Sequence, residues 1–199
     1  MKKLLFQFDT DHYPSVFDTV VAYDGGADHV IGHAKLNPDN VRALVEGAIF
    51  TRPPKEKKNT AIFVGGSDMA AGQALLNAIQ SYFFAGFQVS VMLDSNGSNT
   101  TAAAAVAKLA SSGSLNGKKA VILAGTGPVG QRAAVMLAEE GADVSIVSRH
   151  IESAEIACLS MKERFNVDLT PAAAIDSDER GALIQDANIV LTTGELSNG

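Results

Sequence analysis

The segment from Lys118 to His150 places the strongest constraint on how this chain can fold. An apolar run, Ala120–Leu123, leads into a glycine-rich turn, a helical pattern over residues 129–140 and a second apolar run, Val144–Val147. This order of strand, turn, helix and strand is typical of a βαβ unit that binds a dinucleotide. The alternative is a tight strand-to-helix turn that binds no ligand.

The glycine-rich turn contains the predicted cofactor-binding residues. They are consecutive: Gly125, Thr126, Gly127, Pro128, Val129 and Gly130. We expect Gly125 to permit the tight turn, Gly127 to let the backbone approach a pyrophosphate, and Gly130 to let the helix pack against the strand. The first turn of the helix would offer free amides and the positive end of the helix dipole to the phosphates.

The residues after the second apolar run indicate which dinucleotide binds. A carboxylate there would accept the ribose hydroxyls of NAD, but the chain has Ser148, Arg149 and His150, and the first carboxylate is Glu152. Arg149 can bind a 2′-phosphate, with Ser148 as a hydrogen-bonding partner, so NADP is favoured. The alternative for Arg149 is a solvated charge at the strand end. For His150 that structural explanation is preferred.

Strand-like and helix-like patterns alternate along the whole chain, which predicts the α/β class with helices on both faces of a parallel sheet. The predicted strands are 4–8, a weaker 29–31, 61–64, 89–93, 120–123, 144–147 and 189–191. The predicted helices are one that opens at Asn37-Pro38, and 67–84, 100–109, 129–140 and 153–165. Thr51–Asn59 is predicted to be a surface loop with solvated lysines and arginine.

A small polar linker, Gly113–Lys119, is the predicted domain boundary. It separates an N-terminal α/β domain, residues 1–112, from a Rossmann-type dinucleotide-binding domain, residues 117–199.

Composition excludes several classes of protein. Hydrophobic residues make up 46% of the chain, which excludes intrinsic disorder. The net charge of −6, without a run of five like charges, argues against nucleic acid or a polybasic membrane contact. The single Cys158 and the scattered histidines predict no metal site and fit a reducing cytoplasm. The uncharged stretch Met69–Leu93 is interrupted by polar residues, so we predict no membrane segment.

The first domain contains three polar segments between predicted elements: Asp24–His29, Gly65–Met69 and Asp94–Thr101. We expect them at the carboxyl ends of parallel strands, where α/β proteins bind ligands. Each also has a purely structural explanation, as a chain turn or a helix cap.

Six strings in the chain carry a family resemblance. They are FQFDTD (6–11), PSVFD (14–18), YDGGADH (23–29), AIFVGGSDMAAG (61–72), MLDSNGSNTTAAA (92–104) and GKKAVILAGTGPVG (117–130). Together they closely resemble the NADP-dependent methylene-tetrahydromethanopterin dehydrogenase of methylotrophic bacteria, over essentially all of the chain. The strings in the first domain are specific, because the geometry of a dinucleotide fold does not require them.

The resemblance implies an oxidoreductase of one-carbon metabolism, which passes hydride from a methylene-pterin to NADP. The carrier is methylene-tetrahydromethanopterin or methylene-tetrahydrofolate, bound between a substrate domain and the dinucleotide domain. Because the product is a methenyl cation, a nearby carboxylate would help. The candidates, unranked among themselves, are Asp94, Asp24 and Asp28. Asn96, Gly97, Ser98 and Asn99 are the expected substrate contacts, and Thr193 and Gly194 are expected near the nicotinamide. We also expect a homo-oligomer.

Two departures from related proteins shape the expected activity. The family chain continues beyond Gly199, so the dinucleotide domain is expected to be incomplete at its C-terminal side, and the alternative function is a non-catalytic NADP-binding module or fragment. Related bifunctional folate enzymes carry a tyrosine followed four residues later by the lysine that assists water chemistry. After Tyr13, Tyr23 and Tyr82 the chain has no such lysine, which predicts no cyclohydrolase activity.

Overall fold

The computed structural model describes residues 1–194 and divides the chain into two compact units, Met1–Asn96 and a second unit from Gly97 onward. Each unit contains a four-stranded sheet in which all paired strands are parallel. The predicted α/β class is therefore confirmed.

The first unit builds its sheet from strands β1 to β4, in the order β2-β1-β3-β4. The strands are β1 Leu4–Asp9, β2 His29–His33, β3 Thr60–Gly65 and β4 Ser90–Leu93, and the helices are α1 Val16–Asp24, α2 Arg42–Phe50 and α3 Met69–Ser81. After β1 the chain adds β2 on one side and then β3 on the other, so the topological switch point lies between β1 and β3. At the carboxyl ends of these strands Asp9 pairs with Gly65.

The core of the first unit lies between its sheet and helices α2 and α3. Its buried residues include Phe8, Ile62 and Val64 from the sheet, Ile49 from α2 and Leu75 from α3. Helix α1 buries none of its residues, although it begins with a proper cap in which the Ser15 side chain accepts a hydrogen bond from the Asp18 amide.

The second unit builds its sheet from β5 to β8, in the order β7-β6-β5-β8. Its elements are α4 Ser98–Ala110, β5 Lys119–Leu123, α5 Pro128–Glu139, β6 Asp143–Ser148, α6 Ile151–Phe165, β7 Thr170–Ala173, α7 Ser177–Ile184 and β8 Ile189–Thr192. Numbered within the unit, this order is 3-2-1-4, which matches the first four strands of a doubly wound dinucleotide fold.

Both faces of the second sheet are covered, as predicted. One core joins α4, α5 and α6 to the sheet, with Val106, Leu137 and Cys158 among its members. A smaller core on Val121 and Val147 packs against α7 and its surroundings.

The structural boundary between the units lies earlier in the chain than the predicted linker Gly113–Lys119. Helix α4 supplies Ala102 and Val106 to the core that contains Ala133 and Leu137 of α5. Because its apolar face is buried there, α4 belongs to the second unit, and the division falls after Asn96.

Two local predictions need correction. The helix expected to open at Asn37-Pro38 begins only at Arg42, because Asn37 Oδ1 instead accepts the amides of Asp39 and Asn40 and closes a turn. The expected solvated loop contains a 3-10 helix, Pro54–Asn59, in which Lys57 is only 6% exposed. Its ammonium donates to the Gly86 carbonyl and lies over the Phe87 ring.

Candidate functional site

The glycine turn of the second unit has the geometry expected of a dinucleotide cradle. A Cβ on Gly125 would lie 2.9 Å from the Ile122 carbonyl oxygen, and a Cβ on Gly130 would lie 2.6 Å from the Gly125 backbone. A Cβ on Gly127 would meet no atom within 4 Å. Two of the glycines thus permit close packing, while the middle one borders open space that a ligand can enter.

Helix α5 points its N-terminus at that space. Gly127 has an extended backbone and precedes Pro128 at the first helical position, and as a glycine it has no side chain with which to cap the helix. The first amides of a helix lack intrahelical acceptors and carry the positive end of the dipole. Residues Thr126 to Gly130 therefore fit the pyrophosphate of a dinucleotide.

The carboxyl end of β6 lies beside the turn, because the Gly125 amide donates to the Val147 carbonyl at 3.0 Å. The next residues are Ser148, which is half-buried, and Arg149, which is exposed. Within residues 1–194 the Arg149 guanidinium has no hydrogen-bond or ion-pair partner. It is available to an anion at the place where the ribose end of a dinucleotide lies in this fold.

The end of β8 flanks the turn on its other side. The Thr193 amide donates to the Leu123 carbonyl at 3.1 Å, and the Thr193 hydroxyl donates to the Ala124 carbonyl at 3.1 Å. A Cβ on Gly194 would lie 2.7 Å from the Ala124 Cβ. The structure thus brings Thr193 and Gly194 beside the glycine turn, while their expected place near the nicotinamide stays a prediction.

In the first unit, Asp94 lies at the carboxyl edge of the sheet. It follows β4, is 8% exposed, and its amide donates to the Val64 carbonyl at 3.0 Å. The Asn96 amide donates to the Gly66 carbonyl at 2.7 Å, which fixes the chain beyond Asp94 beside the end of β3.

Two further carboxylates at this edge were missed by sequence reasoning. Asp9 ends β1, is 1% exposed and accepts the amides of Asp11 and Ser15 at 2.9 and 3.0 Å. One carboxylate oxygen of Asp9 and one of Asp18 lie 3.3 and 3.4 Å from the position that a Gly65 Cβ would occupy. In the sequence, the only indication of their position is that Asp9, in FQFDTD, and Asp18, in PSVFD, both come after the first predicted strand.

The environment of Asp18 is electrostatically unfavourable for its charge. Burial raises the pKa of this carboxyl, a hydrogen bond with the Ser15 side chain lowers it, and the neighbouring charges of Asp9 and Asp94 raise it further. The net pKa is above the ordinary value. The edge therefore forms a region of negative potential that favours a ligand carrying positive charge.

The other two candidate carboxylates lie at the opposite edge of the sheet, so the expected position of Asp24–His29 is wrong. Helix α1 starts after the carboxyl end of β1 and returns to the start of β2, which places this connection at the amino edge. Asp28 Oδ2 accepts the Lys3 amide just before β1 at 2.6 Å, and Asp24 is exposed at the end of α1. Neither carboxylate joins Asp94.

The four predicted substrate contacts follow Asp94 directly. Asn96 and Gly97 both adopt left-handed backbone conformations, with φ of 56° and 61°, and turn the chain into α4. Ser98 is buried at the first position of α4 and Asn99 is half-buried. Asn96 is the last residue of the first unit, and Gly97, Ser98 and Asn99 begin the second.

The described residues offer neither a metal cluster nor an activated cysteine. Over residues 1–194, no group of three His, Cys, Asp or Glu residues is arranged to hold a metal ion. No helix in the same range has the length and apolar character needed to cross a membrane. Burial raises the pKa of the Cys158 thiol, which makes it a poor nucleophile.

Comparison with known proteins gives consistent matches. Residues 16–96 match the family model of the methylene-tetrahydromethanopterin dehydrogenase N-terminal region. The bifunctional protein MdtA of Methylorubrum extorquens is 56% identical over 98% of this chain and 68% of its own length. The NAD(P)-dependent methylenetetrahydromethanopterin dehydrogenase of the same organism is 34% identical over 90% of this chain and 63% of its own length.

A solved structure supports the fold alone. The ligand-free 5-ketofructose reductase of a Gluconobacter strain aligns with 98% of this chain and 69% of its own, with a TM-score of 0.60 and 19% identity. At that identity the similarity indicates a shared α/β architecture and carries no information about the substrate.

Proposed function

Because this chain belongs to the methylene-tetrahydromethanopterin dehydrogenase family, we propose that it transfers hydride from methylene-tetrahydromethanopterin to NADP. The family membership confirms the resemblance seen in the sequence. The whole relatives are longer than this chain, which spans 68% and 63% of their lengths, and the activity is proposed on that basis. Methylene-tetrahydrofolate is proposed as a second carrier.

The observation that carries the proposal is the fit of the glycine turn to a dinucleotide. Gly125 and Gly130 have no room for a side chain, whereas Gly127 borders open space at the N-terminus of α5. We assign Thr126, Pro128 and Val129, together with these glycines, to the pyrophosphate, and Thr193 and Gly194 to the nicotinamide side. When bound, NADP supplies the hydride acceptor.

The preference for NADP over NAD is supported by Arg149 and Ser148. The guanidinium can donate two hydrogen bonds to a 2′-phosphate, and no carboxylate occupies residues 148–150 to accept a free ribose diol. One relative is named as NAD(P)-dependent, which covers both nucleotides. The preference of this chain for NADP is therefore tested by titration with each nucleotide.

The proposed catalytic contribution of the first unit is electrostatic. Loss of hydride leaves a methenyl cation shared by two nitrogens, so the reaction requires positioning and charge stabilisation and no obligatory base. Asp94 is the proposed carboxylate, and its neighbours Asp9 and Asp18 add negative potential at the same edge. We propose Asn96, Gly97, Ser98 and Asn99 as contacts of the pterin carrier. A cytoplasmic location and a homo-oligomeric state stay predictions.

The experiment is to follow NADPH formation with methylene-tetrahydromethanopterin and, separately, with methylene-tetrahydrofolate. We expect saturable turnover with NADP that Asp94→Asn slows while NADP affinity is retained. Asp39→Asn, which changes an exposed aspartate of the same unit, is the matched control. If NADP binds but neither carrier is oxidised, the chain is a binding module and the proposed activity is wrong.

A further inference from the structure

An exposed group of aromatic side chains lies in the first unit, near the ends of α2 and α3. Phe50 and Phe84 are 54% and 53% exposed, and the ring centroids of these two residues and the half-buried Phe87 lie 5.3 to 6.1 Å apart. Ala85 and Gly86 both have positive φ and form the two-residue turn that pairs Phe84 with Phe87. Large aromatic side chains held in one arrangement are typical anchors for a protein partner.

The segment of residues 51–59 borders these rings and is strongly basic. It contains four basic residues and one acidic residue, in a chain whose net charge is −6. Lys57 joins the segment to the rings, since its ammonium lies 3.8 Å from the Phe87 ring centroid, and Lys55 and Lys58 are exposed. The three rings and this segment together form the basic aromatic surface.

Helix α6 of the second unit has an exposed face of the opposite charge. Ile156 and Leu159 are 69% and 60% exposed although both are apolar. Glutamates flank them at helical spacing, so that one face of the helix, the acidic stripe, contains Glu152, Glu155, Ile156, Leu159 and Glu163. The adjacent Lys162 is paired with Asp168 at 2.7 Å and leaves the charge of the stripe negative.

The charges determine which of these surfaces can meet in a complex between copies of the chain. Contact between two basic aromatic surfaces would bring two lysine-rich segments together, and contact between two acidic stripes would bring their glutamates together. Like charges that face each other across an interface disfavour both arrangements. Contact between one surface of each kind joins opposite charges and buries apolar side chains on both sides.

We propose that the basic aromatic surface of one copy of this chain binds the acidic stripe of a second copy. Phe50 and Phe84 pack on Ile156 and Leu159, and the lysines face the glutamates around this apolar centre. Because the contact joins unlike surfaces, two copies close a dimer if both contacts form at once, and otherwise more copies form a ring or a filament. The proposal gives the expected homo-oligomer a defined interface and does not depend on the proposed dehydrogenase function.

The size of the two surfaces sets the expected strength of the contact. Four partly exposed apolar side chains supply much less area than the roughly 800 Å² per partner of a standard interface. The association should therefore be reversible, with a dissociation constant on the order of micromolar or weaker. Because its charged groups are exposed, raised salt should weaken it.

The test is sedimentation velocity of the full chain over a concentration series at low and high salt. We expect self-association at low salt that is weakened about tenfold or more by Lys55→Glu/Lys58→Glu and by Glu155→Lys/Glu163→Lys. Each of these variants keeps one intact surface, so an equimolar mixture of the two should associate again. Recovery in the mixture would show that the two surfaces meet between copies.

Matched controls separate the proposed contact from general effects of charge and of exposed apolar residues. Lys35→Glu/Lys108→Glu makes the same change in net charge at exposed lysines outside both surfaces and should leave association unchanged. Ile156→Ser should weaken association, whereas Ile175→Ser, at a residue with the same 69% exposure, should not. Melting curves of each variant verify folding. The proposal is overturned if the chain stays monomeric at every concentration, if either charge reversal or Ile156→Ser leaves association unchanged, or if the mixture fails to associate.

Discussion

Two glycines of the turn, Gly130 and Gly127, should lose different properties when each is replaced by alanine: stability at Gly130 and NADP affinity at Gly127. At Gly130 a Cβ would lie 2.6 Å from the Gly125 Cα and carbonyl oxygen and 2.7 Å from the Thr193 hydroxyl, so backbone must move to accept it. Overpacking of this kind costs about 1–3 kcal/mol. For a chain of this size we expect Gly130→Ala to lower the melting temperature by roughly 2–4 °C for each kcal/mol of unfolding free energy that is lost.

At Gly127 the added methyl group meets no protein atom, and the backbone, with φ of −77° and ψ of 171°, suits alanine. Gly127→Ala should therefore change stability by less than about 0.5 kcal/mol. Because the methyl group would occupy the space assigned to the pyrophosphate, NADP affinity should fall about tenfold or more. Calorimetric scanning and NADP titration of both variants measure the two effects. Unchanged NADP affinity in a stable Gly127→Ala protein would refute the assignment of the turn.

Three further predictions concern charge and reaction scope. Arg149→Ala should weaken NADP binding by about 1.5–3 kcal/mol and leave NAD binding unchanged, and equal losses for both nucleotides in titrations would contradict the 2′-phosphate assignment. Asp18→Asn should raise the melting temperature at neutral pH, because the raised pKa means that ionising Asp18 destabilises the fold. The gain should vanish as the pH falls below the ordinary range of an aspartate, and a pH-independent difference in melting scans would oppose this electrostatic cause. Methenyl carrier supplied without NADP should hydrolyse at the buffer rate, whereas a saturable enzyme-dependent rate would reveal cyclohydrolase activity.

The parts of the fold that follow local patterns could be predicted from the sequence. The strands of both sheets begin and end within about two residues of the apolar runs, apart from β7. That strand, Thr170–Ala173, is short, contains Pro171 and pairs only with β6 at the sheet edge, where a proline is tolerated. Its sequence has too few β-branched or aromatic residues to indicate a strand.

Helix α4 shows why the boundary between the units could not be predicted. Its residues Ala102 and Val106 form an apolar stripe that any adjacent core could bury. Only the three-dimensional packing against Ala133 and Leu137 assigns the helix to the second unit. A polar linker such as Gly113–Lys119 marks a break in secondary structure, which need not be a break between cores.

The candidate site was predictable where a backbone motif determines it and only in part elsewhere. The spacing of the three glycines was sufficient to predict the turn. Thr193 lies beside the turn because it comes directly after β8, which pairs with β5. The carboxylates were harder to place, because Asp24 and Asp94 both begin polar segments in the sequence. Asp94 follows β4 and lies at the carboxyl edge of the sheet, whereas Asp24 ends α1 and lies at the amino edge. Asp9 and Asp18 meet at Gly65 only through the pairing of β1 with β3.

The most direct test of the proposed activity is transfer of the hydride itself. Methylene-tetrahydromethanopterin deuterated at its methylene carbon is incubated with NADP and the chain, and the nucleotide product is analysed by mass spectrometry. We predict reduced NADP that carries deuterium, formed at a saturable rate that Gly127→Ala lowers. If the protein binds NADP in titrations but forms no labelled NADPH, the proposed activity is wrong and the chain is a nucleotide-binding module.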